Sequence, residues 1–151
     1  MRYLAVVRHG DYKPSGDITS SAVEKAIALG KELEVYKDGN GLVLSSPVLR
    51  AVQTARVLAE ELKLPFQQND LLASQYGYKR FDIAPLLATI NEMAGSVGLL
   101  IVVTHEEIAT LLPAVYGETM LNKKIPQQRV AKGNAVVIDC EERTYTTINQ
   151  A

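Results

Sequence analysis

The chain has few of the residues that build disulfide frameworks and metal sites. It contains one cysteine, Cys140, no tryptophan and only two histidines among its 151 residues. A single cysteine excludes an internal disulfide and a cysteine-rich zinc site. Two histidines alone make a poor metal site, so we expect neither a metal nor another cofactor. We interpret Cys140, which ends an apolar run, as a packing residue.

Long apolar stretches and an excess of one charge are also missing. No segment approaches the roughly 20 apolar residues of a membrane span. The N-terminal apolar run Tyr3–Val7 is too short for a signal peptide. The 16 basic and 17 acidic residues give a net charge of −1, so no overall basic field attracts nucleic acid or a membrane. We therefore expect a cytoplasmic chain without nucleic-acid or membrane partners, and its oligomeric state does not follow from the sequence.

What the chain does have is a regular alternation of short β-like runs and longer amphipathic segments. Its length, with 47% apolar and 22% charged residues, predicts one domain over residues 1–151. The alternation predicts an α/β fold, a three-layer sandwich whose mainly parallel sheet is flanked by helices. The predicted strands are 3–7, 42–45, 66–68, 99–104, 135–140 and 144–148, the predicted helices are 19–36, 47–62, 82–94 and 106–116, and 117–132 is predicted to be irregular.

Three predicted strands end in side chains suited to phosphate chemistry. Ligands of open α/β sheets bind at the carboxyl ends of the strands, so we expect these side chains to meet. Neutral imidazole is a nucleophile near neutral pH, and the planar fork of arginine matches phosphate oxygens. The combination favours phosphoryl transfer. The three strand ends are Arg8-His9-Gly10-Asp11, Ser45-Ser46-Pro47 with Arg50 one turn later, and Thr104-His105-Glu106.

These strand ends resemble the signature of the histidine phosphatase superfamily, which includes the cofactor-dependent phosphoglycerate mutases. The order and spacing match from residue 2 to about residue 140. The resemblance implies a phosphoglycerate mutase-like fold and a covalent phosphohistidine at His9 that water hydrolyses. The matching blocks are Arg8-His9-Gly10, the helix start Ser46-Pro47-Val48-Leu49-Arg50-Ala51-Val52-Gln53-Thr54-Ala55, and Val103-Thr104-His105.

The resemblance also implies the roles of the other pocket residues. Arg8 and Arg50 would hold the phosphate oxygens, and His105 would donate a hydrogen bond to them as an imidazolium in the transition state. Gly10 permits a close approach of the backbone after the nucleophile. The predicted substrate-binding set is Arg8, Gly10, Asp11, Arg50, His105 and Glu106.

The chain departs from the family at the position of its proton donor. Phosphomonoesterase and mutase members carry a glutamate in a Leu-x-Glu-x-x-x-Gly segment, and Ala73 stands at that position here. General acid catalysis is worth roughly 10²–10⁴ in rate for an alkoxide leaving group, whereas imidazole leaves far more easily. The substrate is therefore expected to be a phosphohistidine or another activated phosphate, on a small molecule or a protein. The subfamily resembled is that of the bacterial SixA-type phosphohistidine phosphatases, which lack the glutamate and share the aspartate at Asp11.

Glu106 and Glu107 allow three interpretations. The first makes them helix N-terminal acids favoured by the macrodipole. The second makes Glu106 a relocated proton donor, giving a general phosphomonoesterase. The third takes two carboxylates beside a phosphate pocket as an electrostatic cost that marks a non-catalytic, phosphate-binding pseudophosphatase. Six loop residues are either an ordinary solvated surface or a basic, aromatic rim for an extended anionic or protein substrate: Tyr12, Lys13, Tyr76, Tyr78, Lys79 and Arg80.

Overall fold

The computed structural model describes residues 1–73 and 83–150. Within these residues the chain forms a six-stranded sheet in which four neighbouring strands run parallel and an antiparallel hairpin closes one edge. The strands are β1 (Tyr3–Arg8), β2 (Gly41–Ser45), β3 (Phe66–Gln68), β4 (Leu99–Thr104), β5 (Ala135–Asp139) and β6 (Thr144–Ile148). Their order is β3-β2-β4-β1-β5-β6. The prediction of an α/β fold with a mainly parallel sheet is confirmed.

Helices cover both faces of the sheet, which is why β1 and β4 are apolar at successive positions rather than at alternate ones. The helices are α1 (Ser20–Leu33), α2 (Leu49–Leu62), α3 (Ala84–Met93) and α4 (Glu106–Met120), with short 3-10 turns at Glu34–Tyr36 and Asp70–Leu72. Successive side chains of β1 point to opposite faces. Leu4 and Val6 join the core under α3 and α4, and Ala5 and Val7 join the core under α1 and α2.

The helix ends differ in detail from the sequence predictions. α1 begins after Thr19, whose side chain accepts a hydrogen bond from the Ala22 amide at 3.0 Å. α2 begins only at Leu49, and Pro47 lies outside it, because the Ser46 hydroxyl accepts the Val48 amide and holds the entry turn extended.

One other predicted boundary changes. The prediction of irregular chain from 117 was wrong for its first residues, since α4 continues to Met120. It continues because Gly117 packs tightly against Ile125, where a β-carbon would come within 2.8 Å of the isoleucine side chain. The left-handed Asn122, with φ of 49°, then turns the chain away. The predicted start of α3 at residue 82 lies outside the described residues.

The register of the sheet brings three strand ends together. β4 lies between β1 and β2, with Thr104 paired to Arg8 and Val103 paired to Ser45. The backbone amide of His9 donates to the Thr104 carbonyl at 3.0 Å, and that of Ser46 donates to the Val103 carbonyl at 3.0 Å. The residues after these strands therefore open onto one pocket. In the part of the chain that is described, no helix combines the length and apolarity that crossing a membrane requires.

Candidate active site

The two histidines of the chain face each other across this pocket. Their ring centroids lie 5.1 Å apart at an interplanar angle of 61°. His9 is 4% exposed and His105 is 6% exposed. The prediction that the two strand ends bring these rings together therefore matches the geometry.

The hydrogen bonds of His9 determine which of its ring nitrogens carries the proton. Its Nδ1 lies 2.8 Å from the Gly10 carbonyl, which only accepts, so Nδ1 carries the proton. The Nε–H of Arg50 donates to its Nε2 at 3.3 Å, and an arginine has no acceptor. Both contacts require the same tautomer. The lone pair of Nε2 therefore points at the guanidinium group that is suited to hold a phosphate.

The environment of both rings favours their neutral forms. Burial lowers the pKa of His9 to about 4, with further lowering by His105, Arg50 and Arg8. Burial also lowers the pKa of His105 to about 4, helped by Arg50 and partly opposed by the negative charge of Glu107. At neutral pH the His9 ring is thus uncharged. His105 is also neutral in the free protein, and the imidazolium expected in the transition state stays a prediction.

Arg8 is the most buried cation of the pocket. Its side chain is 9% exposed, and Nη1 donates to the Val130 carbonyl at 3.1 Å. Its buried Nε has no hydrogen-bond partner among the described residues. An unsatisfied buried donor costs free energy, and a bound oxyanion is a suitable acceptor for it. This unpaired donor favours the predicted role of Arg8 in binding an anion.

Gly10 is required here by space rather than by its backbone angles. A β-carbon on Gly10 would lie 2.9 Å from that of Ala22 in α1. Its amide donates to the Thr54 hydroxyl at 3.0 Å, and that hydroxyl donates to the Arg50 carbonyl at 2.9 Å. Thr54 thus ties the turn after His9 to the first turn of α2, which carries Arg50. The sequence motif contains Thr54, but sequence reasoning gave it no role.

Ser46 orients the second histidine. Its hydroxyl lies 2.8 Å from Nε2 of His105 and also accepts the amide of Val48 at 3.2 Å. The same serine therefore sets the entry to α2 and the direction of the His105 ring. Sequence reasoning placed Ser46 at a strand end without this role. In the described ranges, no group of three or more His, Cys, Asp or Glu side chains is placed to hold a metal ion.

A sequence match covers the part of the chain that holds His9 and Arg50. Residues 4–77, nearly half of the chain, match the histidine phosphatase superfamily (branch 1). This part of the chain belongs to the histidine phosphatase superfamily. Membership supports a phosphatase activity. No curated protein matches the sequence.

Solved structures share the fold of this chain over nearly its whole length. YhfR of Bacillus stearothermophilus is 20% identical, with a TM-score of 0.67 over 95% of this chain and 94% of that chain. The protein histidine phosphatase SixA, complexed with tungstate, is 22% identical, with a TM-score of 0.65 over 96% and 93%. A mycobacterial glucosyl-3-phosphoglycerate phosphatase is 16% identical, with a TM-score of 0.66 over 97% of each chain. At these identities the likeness establishes the fold.

Asp11 and Glu106, the two acidic residues predicted to bind substrate, form ion pairs with cationic side chains. Glu106, the first residue of α4, forms ion pairs with Arg129 and, at 3.6 Å, with Nη2 of Arg8. Asp11 accepts a hydrogen bond from Lys132 at 3.2 Å, and this bond keeps the pKa of Asp11 below its usual value. Both carboxylates therefore lie at the edge of the pocket rather than between the two histidines.

Tyr12 is the described residue of the predicted rim that contacts the pocket. Its ring lies 5.6 Å from that of His9, and the Arg50 guanidinium stacks over it at 4.6 Å. Lys13 is exposed. The other predicted rim residues, Tyr76, Tyr78, Lys79 and Arg80, lie outside the described residues.

Ala73 has a fixed place beside the pocket. The Thr104 hydroxyl donates to the Leu72 carbonyl at 2.6 Å, so the residue before Ala73 is tied to the residue before His105. Ala73, which the family resemblance places at the position of a proton-donating glutamate, carries a methyl group, which cannot donate a proton.

Proposed function

We propose that this protein is a phosphatase that transfers a phosphoryl group from its substrate to Nε2 of His9 and then to water. The proposed substrates are phosphohistidine or another phosphate with a good leaving group, on a small molecule or a protein. The observation that carries the proposal is the hydrogen bond from Arg50 to His9, because it leaves the lone pair of Nε2 facing a phosphate-binding cation.

The reaction follows from the donors around that lone pair. Nε2 forms a bond to phosphorus while the bond from phosphorus to the leaving atom breaks. Arg8, Arg50 and His105 offer hydrogen bonds to the three equatorial oxygens, where charge accumulates. Water then attacks phosphorus, the bond to Nε2 breaks, and the proton lost by water goes to the released phosphate. His9 regains its lone pair, and Nδ1 keeps its proton on the Gly10 carbonyl throughout.

Ala73 supports the choice of an easy leaving group. An alkoxide needs a proton as it departs, and this position supplies none. The imidazole of a phosphohistidine leaves as a neutral ring when its other nitrogen is protonated. The alternative of a general phosphomonoesterase needs an acid elsewhere, and Glu106 is the candidate. Its contacts with Arg8 and Arg129 argue against that role, because two guanidinium groups stabilise the carboxylate rather than the acid.

One observation favours a second candidate, a phosphate-binding pseudophosphatase. The Glu106 carboxylate lies against Arg8 and competes with phosphate for that cation. A binder of this kind would hold phosphate without forming a covalent bond to His9. The two candidates therefore differ in a product that can be isolated.

Trapping the intermediate tests the proposal. The wild-type protein is mixed with a phosphohistidine peptide, an aryl phosphate or an alkyl phosphate, quenched in alkali and analysed by mass spectrometry. We expect phosphate on His9 with the first two substrates and release of inorganic phosphate in both cases. The matched control is His9→Ala, which should lose both. Binding of inorganic phosphate without any phosphate on His9 would identify the pseudophosphatase instead.

A further inference from the structure

A basic cleft adjoins the phosphate pocket on the side of Arg8. It encloses about 440 Å³. Its wall is contributed by the end of β1, by α1 and by the segment that precedes β5, so residues far apart in sequence meet there. We call it the basic cleft, and its lining residues are Arg8, Asp11, Lys25, Arg129, Ala131 and Lys132.

The charges in the basic cleft do not cancel. Asp11 pairs with Lys132, and Glu106 is shared by Arg8 and Arg129. Lys25 donates to the backbone carbonyl of Lys132 at 3.3 Å, and a carbonyl carries no formal charge to offset the ammonium. Among the described residues, the ion pairs thus set the four lining cations against two carboxylates, Asp11 in the lining and Glu106 outside it, in a chain whose net charge is −1. This local excess is an electrostatic attraction for an anion.

The basic cleft and the phosphate pocket meet at Arg8. Arg8 lines the cleft and also carries the buried, unsatisfied Nε of the pocket. Tyr12 bridges the two regions from the other side, since its ring lies 5.6 Å from the His9 ring and 5.2 Å from the Lys132 ammonium. A substrate whose phosphate reaches His9 can therefore extend along Tyr12 into the cleft.

We propose that the basic cleft is a subsite for a second anionic group of the substrate, a carboxylate or a further phosphate close to the transferred one. The inference rests on the proposed function, because it specifies the substrate class of the same pocket. Lys25, Arg129 and Lys132 are its specificity residues. Small phosphate esters that carry a second anionic group and phosphopeptides with acidic residues both have this chemistry.

Binding to a variant that cannot turn substrate over provides the test. In the His9→Ala protein, calorimetry compares phenyl phosphate with 4-carboxyphenyl phosphate, and a phosphohistidine peptide flanked by asparagines with one flanked by aspartates. We expect the added carboxylate to tighten binding by about three- to tenfold in at least one pair, and less at high salt. The pair that responds distinguishes a small-molecule substrate from an acidic protein.

Substitutions of cleft residues test whether the gain in affinity arises in the basic cleft. Lys25→Gln and Arg129→Gln, each added to His9→Ala, should remove most of the gain from the added carboxylate, measured as the ratio of the two affinities within each pair. Lys124→Gln is the control, since Lys124 is exposed and lies outside the basic cleft. Equal binding within both pairs would overturn the inference, as would a gain that survives both substitutions. Failure of wild-type turnover would refute the proposed function and leave this binding result standing.

Discussion

The guanidinium of Arg50 donates its Nε–H to Nε2 of His9 at 3.3 Å, so this cation selects the tautomer of His9 that keeps its proton on Nδ1. Arg50 is held in turn by packing against Tyr12, with the guanidinium 4.6 Å from the ring centroid. A bound phosphate offers Arg50 a stronger acceptor than imidazole. In the proposed reaction, phosphate binding would therefore free the lone pair of Nε2 for attack.

Removal of the Arg50 cation should change both kcat and the pKa of His9. In Arg50→Met we expect kcat for an aryl phosphate to fall by roughly 10²–10³, the range seen when one transition-state donor is lost. The pKa of His9 should rise toward its ordinary value, since the positive charge of Arg50 contributes to lowering it. Steady-state kinetics and NMR titration measure the two effects. A lower kcat with an unchanged pKa would contradict the contact.

The two histidines should titrate far below an ordinary histidine. Because the chain has only two, their ring signals can be assigned by single substitutions. We expect both pKa values near 4 in the free protein, since burial penalises the charged rings. Saturating phosphate should raise the pKa of His105, because a bound dianion stabilises the imidazolium. A value near 6.5 for either ring in the free protein would refute the buried geometry.

The same shifts predict a loss of stability in mild acid. An unfolded histidine binds its proton near pH 6.5, whereas these two bind theirs near pH 4, so the unfolded state holds more protons between those values. Stability is therefore complete above pH 6.5 and falls as the pH drops toward 4, by about 2 kcal/mol per histidine after solvent screening. Urea unfolding from pH 7 to pH 4 measures the slope. Replacement of both histidines by glutamine should flatten it.

Glu106 is expected to restrain Arg8 rather than to donate a proton. In Glu106→Gln, Arg8 loses the ion pair measured at 3.6 Å, so inorganic phosphate should inhibit at a concentration a few-fold lower. The dependence of aryl phosphate turnover on pH should keep its shape. A selective loss of activity toward poor leaving groups would instead identify Glu106 as the general acid. Glu107→Gln is the neighbouring control.

Sequence reasoning predicted the strand ends well because buried parallel strands are continuous apolar runs, and the residues after them must gather at one edge of the sheet. It could place His9, Arg50 and His105 near one another on that ground alone. It could not give Thr54 or Ser46 their roles, since each depends on a distance between elements. Lys25 and Arg129 were missed for a stronger reason. They are surface residues without a motif, brought together only because α1 and the segment before β5 pack on the same edge.

Restoration of an acid at position 73 is the sharpest test of why this site should prefer easy leaving groups. Ala73 follows the Leu72 carbonyl, which accepts a hydrogen bond from the Thr104 hydroxyl at 2.6 Å, so the backbone before it is tied to the end of β4. In Ala73→Glu we expect kcat/KM for an alkyl phosphate to rise by about 10², within the range of general acid catalysis. Turnover of a phosphohistidine peptide should change little, because its leaving group needs less help. Ala73→Gln has nearly the same size without the proton, so an equal gain in that variant would show that the effect is not acid catalysis.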